Sequence, residues 1–422
     1  MKSDVDHPSP EGNEVHPIQP PHAPLKHPAL VRYILARVLF GGSNQIKDVA
    51  IGWQVYALTG SALDLGLVGL IQFLPRLLLT AVAGDMADRH DRRHLAAGAQ
   101  ALQCLGLLWL ALGSAFDFLD RGLIFGIVFL LGISQTFQGP ASTALLPGLV
   151  PTALLPRALA TNGAAVQTAT ILGPALGGFL YLLGPAWVYG LTALLIGVST
   201  LCFLGLPPPP RPEPGPESGF ERFVAGLRFL RARPVIVGTI SLDMFAVLFG
   251  GATALLPMVA HEVLHTGPWG LGLLRSAPAV GAVVMSVWLA SRPPFEQGVG
   301  RVLYAAVASF GLSMIAFGFS TSLPLSIACL ALSGASDMLA LVIRQSLVQL
   351  QTPDDMRGRV SAVSTIFIGA SNQLGEFESG LAAAWLGLMP AITLGGLATV
   401  GIVLLWTRLF PALFRVERLD AA

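Results

Sequence analysis

The sequence predicts an all-α membrane protein whose twelve transmembrane helices form two pseudo-symmetric six-helix halves. Three observations carry that expectation: a low charge content, twelve apolar runs of membrane-crossing length, and basic residues gathered on alternate loops. Of 422 residues, 53% are hydrophobic and 12% charged, with a mean hydropathy of +0.68. An average soluble domain carries roughly a quarter charged residues, so this chain has too little charged surface to stay dispersed in water.

A helix needs roughly 20 apolar residues to cross the hydrocarbon core. Runs of that length, bounded by charge or by Pro/Gly clusters, fall at 30–58, 62–83, 95–117, 121–147, 158–183, 185–206, 234–259, 267–290, 301–319, 321–346, 358–384 and 387–408. Nineteen Lys and Arg fall on the side of the two termini; one, Arg121, falls on the other. Basic loops stay in the cytoplasm, which places both termini and the central connector there.

The expected organisation follows from these runs. Residues 1–28 are polar and Pro-rich, lack the apolar core of a signal peptide, and read as a disordered cytoplasmic tail. The first half spans 29–206 and the second 234–408, with a further cytoplasmic tail over 409–422. Between the halves, 207–233 begins Pro-rich and ends amphipathic, with Phe220, Phe223, Leu227, Phe229 and Leu230 among Arg222, Arg228, Arg231 and Arg233. That pattern suits a linker followed by a helix on the membrane surface.

The halves repeat each other. At an offset of 202, Pro151, Arg157, Gly173 and Gly178 coincide with Pro353, Arg359, Gly375 and Gly380; at 203, Gly69 and Pro75 coincide with Gly272 and Pro278. A duplication of like-oriented halves places a substrate site near mid-membrane between them.

Several classes drop out. A net charge of +1 points to no nucleic acid partner, and the three cysteines sit in apolar runs away from His or Asp clusters, so neither a disulfide framework nor a metal site is expected. His261, Glu262 and His265 stand in H-E-x-x-H order (HEVLH), but on the short loop between the runs 234–259 and 267–290 rather than along a helix; no phosphate-binding P-loop occurs, and no other catalytic constellation is visible. No enzyme activity and no cofactor are therefore expected.

After the second run comes GDMADRHDRRHLAAG, read as a short loop bearing Gly84, Asp85, Asp88, Arg89, Arg92 and Arg93. This resembles the G-x-x-x-D-R-x-G-R-R cytoplasmic motif of the major facilitator superfamily, with Asp91 standing where that family usually has Gly. The resemblance implies that Asp88 sits against the N-terminus of the eleventh helix, where the dipole favours an anion, and helps hold a gate shut. Arg89, Arg92 and Arg93 would pair with acids or lipid phosphates. In the fifth run, GPALGG (Gly173, Pro174, Gly177, Gly178) looks like the antiporter motif of export-type members. PASTALLPGLVP, TPDDMRGRVSA and NQLGEFESG resemble the branch containing the enterobactin exporter and the macrolide efflux proteins. That branch implies a multi-pass protein of the bacterial inner membrane.

Ionisable residues within the runs are the candidate pathway. Such a group costs at least about 2.5–3.5 kcal/mol at a helix centre, so by default it faces a cavity or a partner. Lys47 and Arg344, near helix ends, can instead snorkel. Arg37, Gly41, Asn44 and Asp48 recur at helical spacing on the first run and suggest one polar stripe. Asp48 is the first candidate for a protonatable coupling residue, with an ion pair to Lys47 or Arg76 as the other reading. Gln72 and Arg76 lie one turn apart on the second run, and Asp337 and Arg344 share a face of the tenth. Glu376 and Glu378 point nearly opposite ways, because two residues turn a helix by about 200°. Glu376 shares its side with Asn372, Gln373 and Ser379 and is preferred for the pathway. Asp243 and Arg275 complete a mixed-charge cavity.

The expected function is proton-coupled export of a siderophore-like or drug-like small molecule, by rocking of two halves about a central site. A monomer in the lipid bilayer is the expected working form. An importer of a small metabolite is the alternative, and a membrane receptor a more distant one.

Overall fold

The computed structural model describes residues 27–208, 219–231, 233–292 and 297–418. All regular structure among them is helical: α1 (Pro28–Thr59), α2 (Ala62–Arg89), α3 (Arg92–Ala115), α4 (Arg121–Thr143), α5 (Leu155–Leu180), α6 (Pro185–Leu204), α7 (Gly219–Arg231), α8 (Pro234–Gly250), α9 (Leu256–Met258), α10 (Pro268–Ala290), α11 (Val299–Gly318), α12 (Leu323–Leu350), α13 (Asp354–Leu386), α14 (Leu388–Leu409) and α15 (Pro411–Phe414). Most of the expected tail, including His7, His16 and His22, and part of the Pro-rich connector lie outside the described residues.

Ten helical stretches among the described residues are long and apolar enough to cross a membrane, with Pro234–Val263 counted as one. The two longest helices, α1 and α13, stand apart because charge and amides interrupt their apolar runs: Arg37, Asn44, Lys47 and Asp48 on one, Asn372, Gln373, Glu376 and Glu378 on the other. Large apolar side chains such as Leu105, Trp187, Leu201, Val287 and Trp385 are exposed on the outer helix faces, as lipid allows and water does not.

Local sequence sets the helix ends. Pro stands in the first turn of α1, α5, α6, α8, α10 and α12, where its missing N–H would have no intrahelical partner. Ser61 caps α2 by accepting from Asp64 N at 3.2 Å, and Asp120 caps α4 by accepting from Leu123 N at 2.7 Å. Gly184 and Gly387, 203 positions apart, lead into α6 and α14 with φ 104° and 89° and extended ψ, a region essentially confined to glycine.

Two elements differ from the sequence expectation. The motif after the second run is helix rather than loop, since α2 continues to Arg89 and only His90 and Asp91 separate it from α3. An Asp85–Arg89 ion pair of 2.8 Å, one turn apart, supports the extension. The seventh run is broken rather than continuous: α8 stops at Gly250, a 3-10 turn covers Thr253–Leu255, and a π turn covers Val259–Val263. Ser379 Oγ of α13 donates to the freed Gly251 carbonyl at 3.0 Å. Irregular backbone is tolerated at membrane depth when protein satisfies it beside a cavity.

Helices α1 to α6 pack among themselves, as do α8 and α10 to α14, and the two sets meet chiefly through α2 with α13 and α5 with α10. The close approaches lie toward the end that carries Gly60. A Cβ on Gly66 would sit 3.0 Å from Gly380 Cα, and one on Gly178 would collide with the Pro268 carbonyl and lie 2.9 Å from Gly272 Cα. At the opposite end, which carries His90, α7 buries Leu230 with Ile236, Ile240, Val360 and Val363.

Candidate functional site

A cavity of about 250 Å³ lies between the two helix sets. Its polar wall consists of Gln45 and Asp48 from α1, Gln72 from α2, Gln135 from α4, Thr253 at the α8 break, Arg275 from α10, and Gln373 and Glu376 from α13. Ile51, Leu65, Val68, Val128 and Leu131 supply the apolar part. Counting from the Gly60 end of each helix at 1.5 Å per residue, Asp48, Gln72, Arg275 and Glu376 lie about 10–16 Å deep. That is near the middle of a hydrocarbon core of roughly 30 Å.

Five of the sequence candidates thus share one wall: Asp48, Gln72, Arg275, Gln373 and Glu376. Asp48 is 36% exposed and holds Lys47 Nζ at 2.5 Å. Lys47 is fully buried, so it pairs rather than snorkels, and Asp48 is both an ion-pair partner and a cavity residue. Arg344 is likewise buried, in an ion pair with Asp243. Both positions are too deep in the helix packing for their side chains to reach the surface. Glu376 packs over Gly69 of α2, with Arg275 and Asp48 as its charged neighbours.

Other candidates fall elsewhere. The first-run stripe divides: Gln45, Asp48 and Gly52 face the cavity, whereas Arg37 and Asn44 turn into their own helix set. Arg37 Nη1 donates to Ser142 Oγ at 2.9 Å. Asn44 Oδ1 accepts from Gln103 Nε2 at 2.9 Å and from Gln135 Nε2 at 3.3 Å. At about 100° per residue the steps of four, three and four return Asp48 to within about 20° of Arg37, so the division follows the partners packed against each position and not a drift around the helix. Arg76 lies opposite Gly369 of α13, outside the cavity wall. Asp243 and Asp337 line a separate small pocket with Ser336 and Phe310. Glu378 lies beside Ser379, away from the wall. Gln45 and Thr253 were not singled out from the sequence; Gln45 was legible as three residues before Asp48, but Thr253 depends on the break in α8.

The motif around α2 and α3 is tied internally. Asp91 caps α3 with φ −61°, accepting from Arg93 N at 2.9 Å, so no glycine is required where the family usually has one. Its carboxylate also takes Arg93 Nη2 at 2.7 Å, while Arg93 Nη1 donates to Leu206 O at 2.7 Å. The Arg93 hydrogen bonds hold the Asp91 carboxyl below the usual carboxylate range despite its partial burial. Arg92 donates to the Ala87 and Ala144 carbonyls at 3.1 and 3.2 Å. Arg89 pairs with Asp85, and a Cβ on Gly84 would meet nothing within 4 Å. The side chain of Asp88 lies outside the described residues.

The α5 motif is a packing device. A Cβ on Gly173 would lie 2.5 Å from Gln45 Cβ, and one on Gly177 3.0 Å from Ile46 Cα. These two glycines bring α5 against α1, and Gly178 brings it against α10. Pro174 lines the cavity between them. At the Gly60 end, Tyr56 OH donates to Glu262 Oε1 across the two helix sets. The His261 ring packs edge-on against Trp53 and Tyr56, with centroids 6.0 and 5.7 Å apart.

The sequence pattern of the transmembrane secretion effector family matches residues 19–421. The chain belongs to that family, within the major facilitator superfamily. It is similar to the enterobactin exporter EntS of Citrobacter koseri, 29% identical over 389 residues, covering 90% of this chain and 91% of that one. The enterobactin exporter EntS of Salmonella typhi is also 29% identical, with 90% and 92% covered. Among solved structures, a bacterial homologue of the human lysosomal transporter Spinster, inward-facing and occupied, superposes with a TM-score of 0.69 at 14% identity, covering 93% of this chain and 96% of that one. The nucleoside transporter NupG does so with a TM-score of 0.67 at 14% identity, covering 92% and 100%. Secretion effectors of this family are multi-pass membrane transporters, not enzymes, and so is this chain.

Proposed function

We propose that this transporter is a proton-coupled exporter of a siderophore-like or drug-like small molecule, working by alternating access. Twelve spans form two six-helix halves, 29–206 and 234–408, with both termini and the 207–233 linker in the cytoplasm. The observation that carries this reading is a mid-depth cavity whose wall is drawn from both halves and holds Asp48, Arg275 and Glu376. Closure at the Gly60 end by Gly66 on Gly380, Gly178 on Gly272 and Tyr56 on Glu262 supports a cytoplasm-facing state. The like-sized siderophore exporters support the direction of transport and the substrate type. Asp48 and Glu376 are the carboxylates available to exchange protons against substrate.

Accumulation assays test the proposal. Cells expressing the protein are expected to retain less siderophore or macrolide than vector controls, with the difference abolished by a protonophore. Uptake that rises with expression would establish the importer instead.

A further inference from the structure

Two residues of the cavity wall each carry a buried polar atom that the protein leaves without a partner. Arg275 Nε is buried and makes no hydrogen bond, and Gln373 Oε1 is buried and accepts none. Both residues line the same wall, and Gln373 stands one turn from Glu376 on α13. Among the described residues, the Arg275 guanidinium closes no ion pair, whereas Asp48 is occupied by Lys47 and Asp243 by Arg344. A guanidinium offers five N–H donors in a planar fork and has no acceptor, and its geometry matches an oxygen anion. An amide oxygen one helix away calls for a donor. Buried polar atoms of this kind are ordinarily satisfied, so an orphan donor and an orphan acceptor on residues of one wall describe the group they await.

We propose that Arg275 and Gln373 form an orienting seat for the transported molecule, taking an oxygen anion on Arg275 and a neighbouring O–H or N–H donor on Gln373. The inference rests on the transporter reading, because it assigns the substrate's anchoring group within the same cavity. Glu376 faces the same guanidinium, so a ligand anion and the Glu376 carboxylate compete for Arg275.

Thermal unfolding of the purified full-length protein in detergent tests the seat with three probes: mandelate, which has both groups; phenylacetate, which lacks the hydroxyl; and mandelamide, which lacks the charge. Mandelate in the millimolar range is expected to raise Tm by roughly 2 °C, phenylacetate by less, and mandelamide not at all. Arg275→Gln is expected to abolish the mandelate response, and Gln373→Leu to reduce it to the phenylacetate level. If Arg275→Gln does not fold, Arg275→Lys replaces it, with mandelate binding about tenfold weaker for want of the planar fork. An equal response to mandelamide, no response to any probe, or an unaltered response in the Arg275 and Gln373 variants overturns the seat. Export from proteoliposomes is scored separately. Export without anion preference overturns the seat and leaves the export reading standing, whereas anion binding without export overturns the export reading and leaves Arg275 and Gln373 as an anion site only.

Discussion

At the scale of single residues, partners decide what each charge can do. Asp48 holds a fully buried Lys47, so Asp48→Asn alone leaves an uncompensated ammonium, a change that typically costs about 3–5 kcal/mol. The double change Lys47→Met with Asp48→Asn removes both charges and is expected to fold. It should still lack proton-driven transport in vesicles; a transporting double variant would reduce Asp48 to a structural counterion. Asp91 is the second case, as a helix cap and the anchor of Arg93. Asp91→Ala is expected to lose about 1–2 kcal/mol, read as a lower Tm. Because folding depresses the Asp91 carboxyl, its contribution is complete above the unfolded value of roughly 4 and fades as pH falls through the folded value. The Tm gap between parent and Asp91→Ala should therefore narrow only under acid; a gap independent of pH would refute the ion-pair account.

At the scale of elements, the glycines named by the repeat become contacts. Gly178 of α5 rests on Gly272 of α10, Gly380 of α13 rests on Gly66 of α2, and Gly69 lies under Glu376. The facing atoms at Gly178 are backbone, which cannot step aside. Gly178→Val should cost the closed Gly60 end about 1–3 kcal/mol, roughly a 5- to 150-fold shift toward the state open at that end. A reporter cysteine at Thr253 would show it as faster labelling by an impermeant maleimide from outside; unchanged labelling means that α5 and α10 do not form the closure. The break in α8 belongs to the same scale. Its hydropathy was legible, but the interruption is stabilised by Ser379 of α13, more than a hundred residues away in the chain.

For the whole molecule, the two states should respond in opposite senses to changes at the two ends. Asp88→Ala, at the His90 end, removes the charge proposed to help hold a gate at that end. It is expected to raise labelling of the Thr253 cysteine from the cytoplasmic side; equal labelling would exclude Asp88 from that gate. Among the described residues, ten helices are legible as spans by hydropathy alone. The long helices α1 and α13 fall outside that set, and they contribute Gln45, Asp48, Gln373 and Glu376 to the cavity wall.

Composition, helix lengths, Pro and Gly punctuation and the motif around Arg89 follow from residue type and local spacing, and these determined the helical class and the family. Helical spacing also brought Asp48, Gln72, Gln373 and Glu376 forward, and a charge within an apolar run brought Arg275. Only the tertiary structure decided that these five share a wall while Arg37, Asn44, Arg76, Asp243, Asp337, Arg344 and Glu378 do not. The physical reason is that spacing along a helix defines relative faces, whereas the rotation of each face toward cavity, neighbour or lipid is set by packing between helices distant in the chain.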